Sequence, residues 1–376
     1  MLVILPDSEF QVVGKRSHEV SNPESLDQLA VNANNEFTFS IFNTLAKDGN
    51  DVLSPISILS ALSILMNGAN GETLKDLKQF LRYKNSLTEF SDETINTAFR
   101  ALNNKYHNDD IFKVKENKPN QSPYEIYDPN DYKHQLNIAN KVIHNKDLQL
   151  LDTFINNIKE YYKGDIQSAD FVNNGVIETE RVNEWIRNKT NNKIQKIFDE
   201  IKPDTSLIIL NAIYFKGNWL EKFGEHSTKK LDFYNKGENV VKVDTMAQTD
   251  GFNYYESIEL NSQSEVEIFL PKFKTEKSYD LMNEINPKPI ALTNRADFSR
   301  LNRGVAQKVA EIIHKTYISV DEKGTEAAAV TAIRMVPMSL PVYPESFTFK
   351  ADHPFMYFIV DKTNGLILFC GQINEL

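Results

Sequence analysis

The stretch Asp321–Pro341, DEKGTEAAAVTAIRMVPMSLP, is written as a strand and then broken off. From Thr325 every second residue, Thr325, Ala327, Ala329, Thr331, Ile333 and Met335, is small or apolar, and the residues between them include Glu326 and Arg334. A strand needs this alternation to turn one face inward and the other to water. No Gly or Pro interrupts Thr325 to Val336, yet Pro337 to Pro344 holds three prolines, which an inner strand cannot accept. A segment with the pattern of a buried strand therefore runs straight into an extended, turn-like one.

Outward from that stretch the composition is ordinary. The 376 residues are 41% hydrophobic and 25% charged, and no Gly/Ser-rich or Pro-rich connector divides them, so one large domain over 28–376 is expected after a polar extension, 1–27. The net charge of −10 excludes a broad electrostatic footprint for nucleic acid. No stretch is long enough to cross a bilayer, so no membrane partner is expected. The single cysteine, Cys370 in LILFCGQI, rules out an intramolecular disulfide and a multi-cysteine metal site, and reads as a small buried hydrophobe. The opening MLVILPDSEF has an apolar run too short for a signal peptide, leaving an intracellular chain or a secreted one without its leader.

Periodicity places the elements. NEFTFSIFNTLAK puts Phe37, Ile41 and Leu45 on one helical face. LSPISILSALSILMNGANGET reads as a short strand entering a helix, with Ser54 as N-cap, Pro55 at the first helical position and Ile58, Leu62 and Leu65 as a buried stripe. Residues 104–133 are polar and turn-rich and read as a surface insertion. QLNIANKVIH is a predicted strand, LLDTFINNIKEYY and ERVNEWIRNKTNNKI are predicted helices, and the unbroken apolar run Leu207–Phe215 fits a strand covered on both faces. Most later segments are strands, so the class is α+β.

Catalytic signatures are missing. The seven histidines are scattered, which excludes a helical zinc pair, and none of the fourteen glycines builds a nucleophile elbow, a dinucleotide fingerprint or a phosphate loop. No enzyme activity, metal or cofactor is expected. Two sequons, at Asn120 and Asn188, are weak signals; Asn120 in the polar insertion is the better acceptor in a secreted chain, and Asn188 falls in a predicted helix.

Five motifs in one order then carry a resemblance: LSPISI from Leu53, NEWIRNKTNNKI from Asn183, LNAIYFKGNW from Leu210, VDEKGTEAAA from Val320, and DHPFMYFI with GLILFCG near the end. Together they resemble the serpin superfamily of serine protease inhibitors, over nearly the whole chain from Leu26 to Gly371. The resemblance implies three β-sheets, about nine helices and an exposed reactive-centre loop, here 322–344, that a protease cleaves as bait. After cleavage the freed segment enters the main sheet as a new strand and carries the acylated protease with it. The strand pattern beside the prolines is what such a dual-purpose loop requires.

Residues carry over one by one. Glu322, Gly324 and Thr325 match the hinge; Ala327, Ala328 and Ala329 match the small-residue stretch that eases entry, and Val330 departs from it by its bulk. Met338 is the seventeenth residue counting from Glu322, which places the reactive bond at Met338–Ser339, and the antitrypsin-like Val336-Pro337-Met338-Ser339 implies elastase-like or chymotrypsin-like targets. Cleavage at Arg334 by a trypsin-like enzyme would leave too short a tether, and Met335 and Met338 are sites where oxidation would weaken inhibition. Ser54, Ser57, Asn211 and His314 match the family's shutter, and Trp219 matches the aromatic at the top of the sheet where entry begins. Trp185 and Thr190 fit the helix that crosses the sheet. The predicted helix SDETINTAFRALNNKYHNDD has no dense basic face and gives no support to heparin activation.

The implied function is irreversible suicide-substrate inhibition by a monomer whose partner is the target protease in a covalent acyl complex. The competing reading is a non-inhibitory serpin, a carrier or exosite decoy. The extension before LDQLAVNANNEF points to a secreted mature chain, with a cytoplasmic one as the alternative.

Overall fold

The computed structural model describes residues 2–6, 26–84, 89–106, 135–219, 222–252, 264–302, 309–324 and 346–376. Among them are seven α-helices, fewer than the nine implied, and thirteen strands in three sheets. Helix α1 (Leu26–Leu45) buries Phe37, Ile41 and Leu45, the predicted face. Strand β2 (Asp51–Leu53) leads through Ser54 into α2 (Pro55–Gly68), where Pro55 costs no hydrogen bond because a first-turn N–H has no helical partner. Every residue of α2 is buried, a wider surface than the predicted stripe of Ile58, Leu62 and Leu65, because the helix packs against strands of two sheets at once. Ser54 sits at the N-cap position without capping; its hydroxyl donates to Leu368 O at 2.7 Å instead.

Helices α3 (Gly71–Phe80), α4 (Asp92–Tyr106), α5 (Asp152–Tyr162) and α6 (Phe171–Lys189) follow, with the single turn α7 (Leu281–Glu284) late in the chain. The polar insertion predicted for 104–133 is corrected at its start. Asn104, Lys105 and Tyr106 complete α4, and Lys105 and Tyr106 both donate to Asp361 Oδ2, at 3.0 and 2.6 Å. The remainder of that insertion, Asn120 included, lies outside the described residues.

The largest sheet has the order β4 (Asp165–Ala169), β3 (Gln135–Asn145), β5 (Leu207–Lys216), β10 (Glu311–Val320), β9 (Phe273–Asp280). A second sheet joins β11 (Ser346–Lys350), β8 (Ser264–Pro271), β7 (Asn239–Phe252) and β6 (Lys229–Asn235). The third joins β1 (Leu2–Pro6), β12 (Phe355–Asp361), β13 (Leu366–Ile373) and β2. Within the polar extension expected over 1–27, strand β1 pairs antiparallel with β12 from Leu2↔Ile359 to Pro6↔Phe355, and α1 begins at Leu26.

The main core lies between the five-stranded sheet, α2 and the third sheet; a smaller one lies on the sheet's other face, under α6. Strand β5 serves both, sending Ile209 and Ile213 to the first and Ile208 and Leu210 to the second, which is why its sequence is an unbroken apolar run. Cys370 is fully buried in β13.

Candidate functional site: the central strand pair and its two polar locks

Among the described residues, the centre of the five-stranded sheet is the only parallel contact between two long strands. Strand β10 pairs with β5 from Glu311↔Ile208 to Tyr317↔Tyr214, while their outer neighbours β9 and β3 run antiparallel to them. Past Tyr317 the pairing with β5 ends, and Ile318 to Val320 pair with β9 alone. The two strands are closed against each other in the middle and part at the top. One antiparallel strand set between them would find an antiparallel partner on each side.

Four strands contribute one polar residue each to a row across the middle. In register, Asn140 of β3 faces Asn211 of β5, Asn211 faces His314 of β10, and His314 faces Tyr279 of β9. The hydroxyls of α2 lie beneath them. Ser57 Oγ donates to Asn211 Oδ1, Asn211 Nδ2 donates to Asn140 Oδ1 at 2.8 Å, and Asn140 Nδ2 donates to Ser60 Oγ at 3.1 Å. The backbone N–H of Ser54 donates to His314 Nε2 at 3.1 Å, so that nitrogen is an acceptor. The proton therefore sits on Nδ1, 3.2 Å from Asn211 Oδ1, to which it donates. His314 is fully buried, and burial pushes its pKa down to about 3; the ring is neutral. Helix α2 thus bonds to β5 through Ser57 and to β10 through Ser54, and the two strands bond to each other through Asn211 and His314. Any separation of the pair must break this set.

The top of the pair is held differently. Beyond β10 the chain makes a tight turn in which Asp321 and Gly324 exchange backbone bonds at 2.9 and 3.1 Å. Gly324 has φ +133, and a Cβ there would stand 2.0 Å from Gly217 O; no other residue fits. The turn is tied to the segment after β5: Trp219 N donates to Lys323 O, Trp219 Nε1 to Asp321 O at 2.7 Å, and Phe223 N to Glu322 O. Glu322 is largely buried; it accepts from Thr228 Oγ1 at 2.7 Å and pairs with Lys272 Nζ at 2.9 Å. Burial pushes its carboxyl upward, but these donors outweigh burial and hold it below the usual range. The hydrogen bond that Lys272 donates to Glu322 in turn raises the pKa of Lys272. An open polar hollow lined by Glu225, Lys272, Asp321, Glu322 and Lys323 marks the spot.

Helix α6 lies over the opposite face of this pair. Its Val182 and Ile186 pack on Leu210 and Ala212 of β5, and Trp185 Nε1 donates to Asp165 Oδ2 at 3.0 Å. Thr190, just after the helix, donates to Ile186 O and accepts from Ile194 N. Asn188 is exposed on this helix.

Of the residues the sequence singled out, Ser54, Ser57, Asn211 and His314 meet in one buried cluster, and Glu322, Gly324 and Trp219 meet at the top. Thr325, Ala327, Ala328, Ala329, Val330, Arg334, Met335, Val336, Pro337, Met338 and Ser339 lie outside the described residues. Sequence reasoning missed Asn140, Ser60, Tyr279, Thr228 and Lys272. One signal was available: from the N-cap Ser54 into α2, serines recur at every third place, Ser54, Ser57, Ser60 and Ser63, among apolar residues, which marks a polar stripe on a buried helix.

Comparison with known proteins agrees with this architecture. A family model described as Serpin (serine protease inhibitor) matches residues 32–264 and 257–376. An uncharacterized serpin-like protein of Thermococcus kodakarensis is 29% identical over 415 residues, covering 98% of this chain and 90% of the relative. Human Serpin B4 is 27% identical over 396 residues, covering 91% and 98%. Among solved structures, the native state of the thermophilic serpin tengpin superposes with a TM-score of 0.75 at 24% identity, covering 95% of this chain and 96% of that one. Thyroxine-binding globulin in complex with thyroxine gives 0.71 at 22% identity, covering 93% and 99%.

Proposed function

This chain belongs to the serpin superfamily, and on that premise we propose that it is a suicide-substrate inhibitor of elastase-like or chymotrypsin-like serine proteases, cleaved at Met338–Ser339. The observation that carries the reading is the central parallel pair of β5 and β10, with the turn 321–324 at the upper end of β10. A chain leaving Gly324 and folding back between these strands runs antiparallel to both. One parallel ladder is then exchanged for two antiparallel ones, which are slightly stronger per residue.

The pattern of Thr325 to Met335 suits that slot: the alternate residues Thr325, Ala327, Ala329 and Thr331 are small enough to pass the row formed by Asn211 and His314. About a dozen inserted residues at ~1 kcal/mol net per hydrogen bond yield roughly 10 kcal/mol. This matches the ~5–15 kcal/mol stability of a typical domain, so the uninserted form is held by the barrier of opening the sheet. A protease acylated by the bait and dragged along is deformed before water completes hydrolysis. The chain supplies no catalytic group of its own; its partner, an extracellular protease in this reading, supplies the chemistry.

The test is incubation with neutrophil-type elastase, chymotrypsin and trypsin, followed by denaturing electrophoresis. A covalent adduct with elastase or chymotrypsin and simple nicking by trypsin at Arg334 are expected. Cleaved product with no adduct across the panel would refute inhibition and favour the second reading, carriage, for which thyroxine-binding globulin with its bound thyroxine is a precedent on the same fold. Replacing Val330 with Ala should speed insertion slightly and reduce the cleaved, uncomplexed fraction.

A further inference from the structure

We propose that the outer edge of β12 is a strand-acceptor site, occupied in the folded chain by Leu2–Pro6 and able to take an extended apolar peptide in its place. The first argument is burial. Phe355, Met356, Tyr357, Phe358 and Ile359 are all buried, and both faces of β12 are covered: Phe355 and Tyr357 meet Phe273 at 6.0 and 5.1 Å between ring centroids, and Phe358 meets Phe39 of α1 at 6.2 Å. A strand covered on both faces is built as an inner strand, with hydrogen-bonding neighbours on each side.

On one side β12 has β13, its hairpin partner. On the other, among the described residues, it has no strand from nearby sequence. The position is filled from about 350 residues away by β1, paired through five successive residues and ending at Pro6, which has no N–H to donate onward. An edge satisfied this way is read through main-chain groups and apolar character, a mode of recognition that tolerates other sequences of the same kind.

The second argument is that β1 can leave by itself. Among the described residues it pairs with no strand but β12, so its release breaks one ladder and exposes one edge. Residues 7–25 link it to α1, a tether spanning at most about 65 Å. A tethered strand competes at a local concentration on the order of millimolar. A free peptide at micromolar concentration therefore loses to β1 in the intact chain and succeeds only where β1 has been disabled. This inference does not depend on protease inhibition.

Full-length protein carrying Val3→Pro together with Ile4→Pro provides the test. Neighbouring residues of a strand point their N–H groups in opposite directions, so the double substitution removes whichever one faces β12. The probe is a fluorescent peptide, LVILP extended by two lysines for solubility, with a second peptide carrying the same two prolines as control. Saturable one-to-one binding to the substituted chain, at least tenfold tighter than to the unsubstituted chain and absent for the proline peptide, is expected. Equal binding of the two peptides, or no binding to either protein, would overturn the proposal. Hydrogen exchange provides the second readout: in the substituted chain the amides of Phe355–Ile359 that face away from β13 should exchange at least tenfold faster and slow again with peptide. Exchange unchanged by the substitution would mean that β1 does not occupy the edge.

Discussion

The polar row at mid-sheet and the ion pair at the sheet's upper end both restrain β10, by opposite physical means: the row bonds it to β5, whereas the Glu322–Lys272 pair anchors its upper end to the residue before β9. The row, Asn140, Asn211 and His314 over Ser57 and Ser60, is neutral, fully enclosed and satisfied by short-range hydrogen bonds. The upper lock is charged, and water reaches one of its members: Lys272 keeps 38% side-chain exposure beside a Glu322 at 10%. Breaking the first leaves polar groups stranded away from water; breaking the second lets water replace the lost partner. A sheet that opens should therefore open from the top, where Tyr317↔Tyr214 is already the last pair, and meet its main resistance in the middle.

The most severe challenge to this contrast is Asn211→Leu. It removes the acceptor for Ser57 and His314 and the donor for Asn140, leaving several buried groups unpaired, and a loss of about 3–5 kcal/mol in urea unfolding is expected. A loss under about 1 kcal/mol would mean that the row does not act as a lock. Gly324→Ala comes next, since its Cβ meets Gly217 O in a backbone region reserved for glycine; a loss of about 2–3 kcal/mol is expected, with changed fluorescence of Trp219.

Acid should act on the middle lock before the upper one. His314 has a folded pKa of about 3 against 6.5 for the free side chain, so between these values the unfolded chain takes up a proton that the folded chain refuses. The corresponding stability is fully present above pH 6.5 and is lost as pH falls. Between pH 7 and 5 the loss should reach about 2 kcal/mol, and His314→Gln should flatten that slope. Glu322 has the other profile: its carboxyl lies below 4.5 when folded, so its contribution persists above that value and disappears only as pH drops through the folded pKa. The smallest effect is expected for Glu322→Gln, about 1 kcal/mol, shrinking at high salt where the Asn211→Leu effect does not. Equal salt dependence of the two variants would erase the distinction.

Much of this was legible in the chain itself. Pro55 announced α2 and the apolar run at Leu207 announced a doubly covered strand, whereas the strand pattern ahead of three prolines lies outside the described residues. Asn140 and Tyr279 were not legible, because each is one polar residue inside an ordinary strand. They become members of a row only through the register of four strands separated in sequence by insertions and helices. Glu322 stood out by its motif, whereas Lys272 and Thr228, 50 and 94 residues away, carried no mark that they would hold it. The pairing of Leu2–Pro6 was not legible for the same reason: five apolar residues in a polar context show no partner until Phe355–Ile359 is set beside them.

Local chemistry is what the sequence by itself determined: which residues favour helix or strand, where Pro and Gly force a boundary, and which family the motif order resembles. These follow from interactions within a few residues of chain. Only the tertiary structure decided that β5 and β10 lie side by side and parallel, that His314 holds its proton on Nδ1, and that β1 closes the edge of β12. Pairing, burial and protonation state depend on groups brought together from distant parts of the chain, and the free energy of those contacts has no counterpart in any single stretch of it.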